Sequence, residues 1–162
     1  MDDQFEIGLD RDNWSYETQV RNDRCSCKQV LIQLQTGGFE HGEFSWATVD
    51  KQNIFVDGEG LHIVPTLTTE STDITEAQLL DGYTVNLTSG RGGWGTCTSS
   101  DVKMCSVRSN ATLGRIIPPV RSARITTKGK KSIKYGRVEV VAKMPKGDWL
   151  WPAICKCRPK GY

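Results

Sequence analysis

The chain has 162 residues, 37% of them hydrophobic and 25% charged, which predicts one domain and excludes a disordered chain, a coiled coil and a collagen-like repeat. It contains no run of about 18 apolar residues, so no transmembrane helix is predicted. Residues 1–107 carry 7 Lys+Arg against 17 Asp+Glu, and residues 108–162 carry 14 against 2. The basic half lacks the spacing of a basic recognition helix. We therefore expect compensating charges within one domain and no nucleic-acid partner.

The first clear elements are two apolar runs joined by a glycine-containing turn. Ile54–Val56 and Leu61–Val64 read as two strands. Gly58 and Gly60 lie between them and can supply the positive φ that a tight connection needs. A β-hairpin is predicted here.

Further along the chain, one helical turn and two more strands are predicted. Glu76–Leu80 has the composition of about one turn of helix. Tyr83–Leu87 alternates apolar and polar residues, as a half-buried strand does. Gly136–Met144 is the clearest strand, with Val and Met side chains alternating with charged ones until Pro145 ends the run. Many short strands separated by turns favour an antiparallel sandwich.

The six cysteines form three close pairs that do not have the spacing of a zinc knuckle. Only His41 and His62 could add imidazole ligands, so no metal site and no cofactor are predicted. Cys97 and Cys105 bracket a polar loop that a disulfide could close, which fits an oxidising compartment.

The sequence also contains three N-glycosylation sequons, at Asn13, Asn86 and Asn110. Together with the loop cysteines they indicate a secreted parent. By contrast, the segment 1–12 is acidic where a secretion signal would be basic and then apolar, so no signal peptide is predicted in this chain.

Three segments of the second half form a specific signature: Ser122–Ile125, Tyr135–Gly147 and Trp149–Ile154. Their order, their spacing and the Trp-Pro-Ala step resemble glycoside hydrolase family 16, particularly fungal β-glucanases and the β-1,3-glucan-binding proteins of invertebrates. The resemblance covers the N-terminal half of such a domain, over residues 1–154. A polar insert at 21–36 interrupts it, and the basic tail 155–162 lies outside it.

The resemblance implies an all-β, concanavalin-like jelly-roll sandwich with a cleft across its concave face, here incomplete. It also implies a retaining mechanism, which needs two carboxylates roughly 5 Å apart. In the family these come from a Glu-x-Asp-x-x-Glu strand soon after Trp-Pro-Ala. This chain has no such motif and no acidic residue after Asp148, and Cys155 stands where the family has a second Trp. We therefore assign no catalytic residue.

The residues expected to contact sugar are Arg124, Trp149 and Trp151. Aromatic faces stack on pyranose rings, and Trp149 and Trp151 are two residues apart, so an extended backbone presents both on one side. Arg124 matches the family's arginine near the cleft, where it could bond sugar hydroxyls or orient a carboxylate. The competing interpretations are core packing for the tryptophans and a surface cation for Arg124. Three further aromatic residues are predicted to pack: Trp14, Trp46 and Tyr135.

Two functions follow as hypotheses. The first is a glycoside hydrolase acting on cell-wall β-glucans, truncated before its catalytic strand and inactive as written. The alternative is a non-catalytic β-1,3-glucan-binding protein. In both, β-glucan is the partner, and the parent is secreted or associated with a wall or membrane. We expect a monomer that is marginally stable and prone to aggregate, because an incomplete sandwich leaves strands without partners.

Overall fold

The computed structural model describes residues 2–18, 44–88, 96–99, 103, 105–148, 150 and 152–155. Within these ranges the chain consists mainly of short strands in several sheets, with few helical turns. The predicted all-β class is confirmed, and the arrangement is consistent with a jelly-roll-like fold. Among the helices in these ranges, none is long and apolar enough to span a membrane.

The described strands are β1 (Ser15–Glu17), β2 (Ser45–Ala47), β3 (Ile54–Asp57), β4 (Gly60–Ile63), β5 (Thr66–Leu67), β6 (Thr84–Asn86), β7 (Ser106–Arg108), β8 (Val120–Ser122) and β9 (Arg124–Thr126). The helical elements are α1 (Thr68–Ser71), α2 (Glu76–Leu80) and a 3-10 turn over Ala111–Leu113.

Three antiparallel pairs, β1–β9, β3–β4 and β6–β7, accompany a three-stranded sheet in the order β2-β8-β5. In that sheet β5 is antiparallel to β8, but β2 is parallel to it, with Trp46 opposite Arg121. The sheet is therefore mixed, where the sequence favoured antiparallel pairing throughout. A parallel pair requires a long crossover connection, and most of the described core lies between these two strands in the chain.

The predicted hairpin is confirmed as β3–β4, with Asp57 opposite Gly60. Gly60 has a φ of 116°, whereas Gly58 does not adopt a positive φ. An Asp57 Oδ1 accepts a hydrogen bond from the backbone N–H of Glu59 at 2.8 Å. This bond, together with contact to His62, outweighs the raising effect of desolvation and lowers the pKa of Asp57.

The predicted helical turn is also confirmed, and a capping box explains where it begins. The backbone N–H of Gln78 donates to Thr75 Oγ1 at 3.3 Å, and the backbone N–H of Thr75 donates to Gln78 Oε1 at 2.9 Å. Leu79 on this turn is buried. The strand predicted next is β6, which buries Val85 fully, and Leu87 directly after the strand is also fully buried.

One hydrophobic cluster lies between these elements and contains Trp46, Ile74, Leu79, Val85, Leu87, Val107 and Ile117. Trp46 is fully buried, which confirms the prediction that it packs. Its indole Nε1 donates to Thr68 Oγ1 at 3.1 Å, and that hydroxyl donates to the Pro118 carbonyl at 2.9 Å. The largest side chain of the core thus has its polar atom satisfied.

Arg121, on the central strand β8, is a fully buried cation that sequence reasoning did not single out. Its guanidinium donates to the Ser71 carbonyl at 2.8 Å and to Asp50 Oδ2 at 2.8 Å, and it lies 5.4 Å from the ring of Trp46. Desolvation acts to raise the pKa of Asp50. The backbone N–H of Gln52 and the Arg121 guanidinium outweigh it, so the pKa of Asp50 lies below its usual value.

The strand predicted over Gly136–Met144 is wrong for this structure. No strand is assigned there, and Val138, Val140 and Val141 are all exposed. A strand needs a ladder partner for its backbone N–H and C=O groups. Within the described residues, none forms a backbone hydrogen bond with this segment. Tyr135, predicted to pack, is 86% exposed.

We expect Asp50→Asn to lower the free energy of unfolding by about 2–3 kcal/mol, because it leaves the buried Arg121 charge without its counter-ion. Glu59→Gln removes the same charge from an exposed position and is the matched control, with an expected change within about 0.5 kcal/mol. Urea unfolding followed by tryptophan fluorescence measures both. Equal stabilities of the two variants would contradict the assignment.

The same ion pair predicts a pH dependence of stability. Because the pKa of Asp50 is lower when the chain is folded, its contribution is present above the unfolded value near 3.8 and is lost as the pH falls through the folded value. The stability difference between wild type and Asp50→Asn should therefore shrink between about pH 5 and about pH 3. Urea midpoints at both pH values test this, and an unchanged difference would refute it.

Candidate functional site

Arg124, the described member of the predicted sugar-contacting set, begins β9 and pairs with β1. The register places Ser15 opposite Thr126 and Glu17 opposite Arg124. Side chains alternate between the two faces of a strand, so these four polar side chains share one face of the two-stranded sheet. All four are half-buried. We call this set the polar face.

The centre of the polar face is an ion pair between Arg124 and Glu17. Arg124 Nε lies 2.7 Å from Glu17 Oε2, and the two side chains are 28% and 17% exposed. The sequence suggested that Arg124 could orient a carboxylate, and in this structure a carboxylate on the neighbouring strand holds it. Sequence reasoning missed Glu17, because only the strand register shows that it lies opposite Arg124.

The strand β1 is positioned by contacts of the segment that precedes it. The indole Nε1 of Trp14 donates to Asp3 Oδ2 at 2.7 Å, and its ring lies 5.8 Å from the ring of Phe5. After β9 the chain returns to this segment, where Lys130 Nζ donates to the Trp14 carbonyl at 2.8 Å. Trp14 is half-buried in these contacts, so its predicted packing role is confirmed.

The opposite face of this two-stranded sheet is aromatic and apolar. It carries Tyr16 opposite Ile125. The guanidinium of Arg11 lies 4.5 Å above the Tyr16 ring, a cation–π contact. Hydrogen-bonding groups therefore lie on one face and apolar groups on the other.

The other two predicted sugar-contacting residues, Trp149 and Trp151, lie outside the described residues, as does the insert at 21–36. Their places relative to the polar face stay predictions.

A disulfide joins Cys97 and Cys105, the pair expected from the sequence, with Cα atoms 5.5 Å apart. The N–H of Leu87 donates to the Cys105 carbonyl at 2.9 Å, and the N–H of Cys97 donates to the Leu87 carbonyl at 3.1 Å. The adjoining Thr98 exchanges hydrogen bonds with Thr18, just after β1. The disulfide therefore links the hydrophobic cluster to the strand that carries Glu17. Cys155 is also disulfide-bonded.

The three sequon asparagines differ in their surroundings. Asn86 is exposed, and its Oδ1 accepts hydrogen bonds from the backbone N–H and the hydroxyl of Thr88, at 2.9 and 2.7 Å. Asn110 is half-buried and caps the 3-10 turn by accepting from the N–H of Leu113. Asn13 is half-buried and donates to Asp10. Asn86 thus offers the most accessible amide of the three.

His62, one of the two histidines weighed as a metal ligand, has other contacts. Its ring stacks on Phe55 at 4.7 Å, and its Nε2 lies 2.8 Å from Asp57 Oδ1. In the part of the chain that the structure describes, no three His, Cys, Asp or Glu side chains are grouped closely enough to hold a metal ion.

Comparison with known proteins gives several significant relatives. A β-1,3-glucan-binding protein of Penaeus monodon is 34% identical over 156 residues, which is 95% of this chain and 36% of that protein. Gram-negative bacteria-binding protein 2 of Drosophila melanogaster is 38% identical over 103 residues, 64% of this chain and 19% of that protein. The chain is thus similar in sequence to part of the β-1,3-glucan-binding proteins of invertebrates.

A third relative shows high local identity. A β-1,3-glucan-binding protein of Tenebrio molitor is 64% identical over 39 residues, 24% of this chain and 8% of that protein. The chain spans about a third of the Penaeus protein and less of the other two. No family model and no solved structure matches the chain. These relatives give no support to a specifically fungal affinity, which stays a prediction.

We expect the double substitution Cys97→Ala/Cys105→Ala to lower the free energy of unfolding by about 2–3 kcal/mol. The disulfide joins residues that are 8 positions apart in the chain, and its loss gives the unfolded chain more conformational freedom. Because Thr98 is bonded to Thr18, amide exchange at Thr18 should also become faster. Urea unfolding and hydrogen–deuterium exchange measure the two effects. Unchanged exchange at Thr18 would show that the disulfide does not support β1.

Proposed function

We propose that this chain binds β-1,3-glucan and does not cleave it. The observation that carries the proposal is the relationship to the Penaeus β-1,3-glucan-binding protein over 95% of the chain. Glucan binding was the alternative hypothesis from the sequence, and the names of the relatives favour it over hydrolysis.

The polar face supplies suitable chemistry for a polysaccharide. Sugars are held by a few directed hydrogen bonds to hydroxyls together with stacking on aromatic rings. The Nε of Arg124 contacts Glu17, and a guanidinium carries five N–H donors in a fixed planar fork that matches sugar hydroxyls. The hydroxyls of Ser15 and Thr126 lie on the same face. A fork of donors held by a carboxylate loses little conformational entropy when a sugar binds.

Trp149 and Trp151 are the proposed stacking partners for the pyranose rings. Support comes from the Trp-x-Trp spacing, which shows both rings on one side of an extended segment, and from the sequence signature that contains them. Together with Arg124 they form the proposed binding set.

The absence of cleavage is proposed from the carboxylates. A retaining glycosidase needs two carboxylates about 5 Å apart that are available to the sugar. The half-buried carboxylates of Asp50 and Glu17 are each paired with an arginine at 2.8 and 2.7 Å. The sequence also lacks the Glu-x-Asp-x-x-Glu motif.

A glycoside hydrolase of family 16 is the second candidate, and the signature over 122–154 favours it. In that case the scaffold is a hydrolase scaffold, and catalytic carboxylates would have to come from a longer parent protein. We further propose an extracellular setting for the parent, supported by the Cys97–Cys105 disulfide and the accessible Asn86 sequon.

Cosedimentation with insoluble β-1,3-glucan, and with cellulose as the β-1,4-linked comparison, tests binding. We expect retention on β-1,3-glucan, and about tenfold weaker binding for Arg124→Ala because charged hydrogen bonds are lost. Arg115→Ala, which removes an exposed arginine elsewhere, is the matched control and should bind as wild type. Far-UV circular dichroism verifies that both variants fold alike.

Two results would overturn the proposal. If the wild-type chain were retained equally on β-1,3-glucan and on cellulose, its binding would not be selective for the β-1,3 linkage. Release of reducing sugar from soluble β-1,3-glucan by the purified chain would favour the hydrolase candidate instead.

A further inference from the structure

The segment Gly136–Met144 has a strand-like sequence, and no strand among the described residues pairs with it. Val138, Val140, Val141 and Met144 are 63%, 53%, 104% and 50% exposed. Every described residue from 128 to 148 is exposed. Among the described residues, none hydrogen-bonds to the backbone of this segment. An apolar, unpaired stretch of this kind is a template for pairing with another chain.

We propose that this segment pairs with the same segment of a second copy of the chain, as an antiparallel two-stranded ladder centred on Val141. In this register the opposed residues are Val138 with Met144, Glu139 with Lys143, Val140 with Ala142, and Val141 with itself. Each pair that joins two different positions occurs twice in the dimer, because the arrangement is two-fold symmetric.

The register places compatible side chains on both faces. One face carries only apolar residues, from Val138 to Met144, because side chains alternate along a strand. The other face carries Val141 between two Glu139–Lys143 pairs, and opposite charges directly across a ladder stabilise it. In the single chain, Glu139 contacts Arg137, but both side chains are more than two-thirds exposed, at 69% and 82%. An exposed ion pair contributes little free energy, so Glu139 can leave Arg137 and pair with Lys143 of the second copy at little cost.

Neighbouring registers are less favourable. Centring the ladder on Val140 places Arg137 opposite Lys143, which opposes like charges. Centring it on Ala142 places Lys143 opposite Val141 and Glu139 opposite Pro145. A parallel, in-register pair would oppose each charged residue with its own copy. The antiparallel register centred on Val141 therefore places opposite charges across from each other and apolar side chains across from apolar side chains.

The ends of the ladder are also defined by the sequence. Pro145 has no backbone N–H to donate, so the ladder cannot extend regularly beyond Met144. Gly136 has a φ of 146° and forms the other end. Because both copies use the same strand edge, the two-fold interface is isologous and closes at a dimer. This differs from the monomer expected from the sequence, which assumed that the strand was paired within its own sandwich.

The test uses the 162-residue chain and measures its mass by sedimentation equilibrium at increasing concentration. Wild type should shift from 18.1 kDa toward twice that mass. Glu139→Lys and Lys143→Glu should each remain monomeric, because each opposes like charges twice. An equimolar mixture of the two variants should dimerise again, because each Lys then faces a Glu.

The matched controls make the same charge changes outside the register. Lys131→Glu and Glu59→Lys, both at exposed positions, should dimerise as wild type does. The proposal is overturned if wild type stays monomeric, if it forms polydisperse aggregates, or if the mixture of the two variants fails to associate. Circular dichroism of each variant checks that the fold is unchanged.

Discussion

The buried guanidinium of Arg121 is the constraint on which the described core depends. It lies on the central strand of the three-stranded sheet, against the Trp46 ring, and contacts Asp50 and the end of α1. The backbone of the same residue accepts from the fully buried Asn53 amide at 3.4 Å, and that amide also donates to the Val64 carbonyl. A charge in this position is tolerated only because its hydrogen-bonding partners are held in place around it.

That arrangement also explains why the proposed binding surface is not built on Arg121, although Arg121 and Arg124 are close in the chain. Arg121 is fully buried and donates to the Ser71 carbonyl and Asp50, whereas Arg124 is half-buried and contacts Glu17 on the neighbouring strand. One link from the core to the polar face passes through the Cys97–Cys105 disulfide and the bonds between Thr98 and Thr18. The residues that stabilise the core therefore differ from those proposed to bind glucan, but the disulfide and these hydrogen bonds join the two regions.

The alternation of apolar and charged side chains that predicted a strand at Gly136–Met144 also explains the proposed association of this segment with a second copy. Alternation gives a segment one apolar face, but it does not supply a ladder partner. Without one, the apolar residues are exposed to water. In the proposed dimer, a second copy would supply the backbone hydrogen bonds that this segment lacks among the described residues, and its apolar side chains would lie beside those of the first copy.

By itself, the sequence determined the local structure and the relationships of this chain. The β3–β4 hairpin, the turn of α2 and the burial along β6 follow from periodicity, turn residues and capping, which act over a few neighbouring positions. Tertiary structure alone decided the parallel pairing of β2 with β8, the Arg121–Asp50 pair and the position of Glu17 opposite Arg124. These contacts join residues separated by about 70 to 110 positions, so they depend on strand register, and composition and spacing carry no information about it.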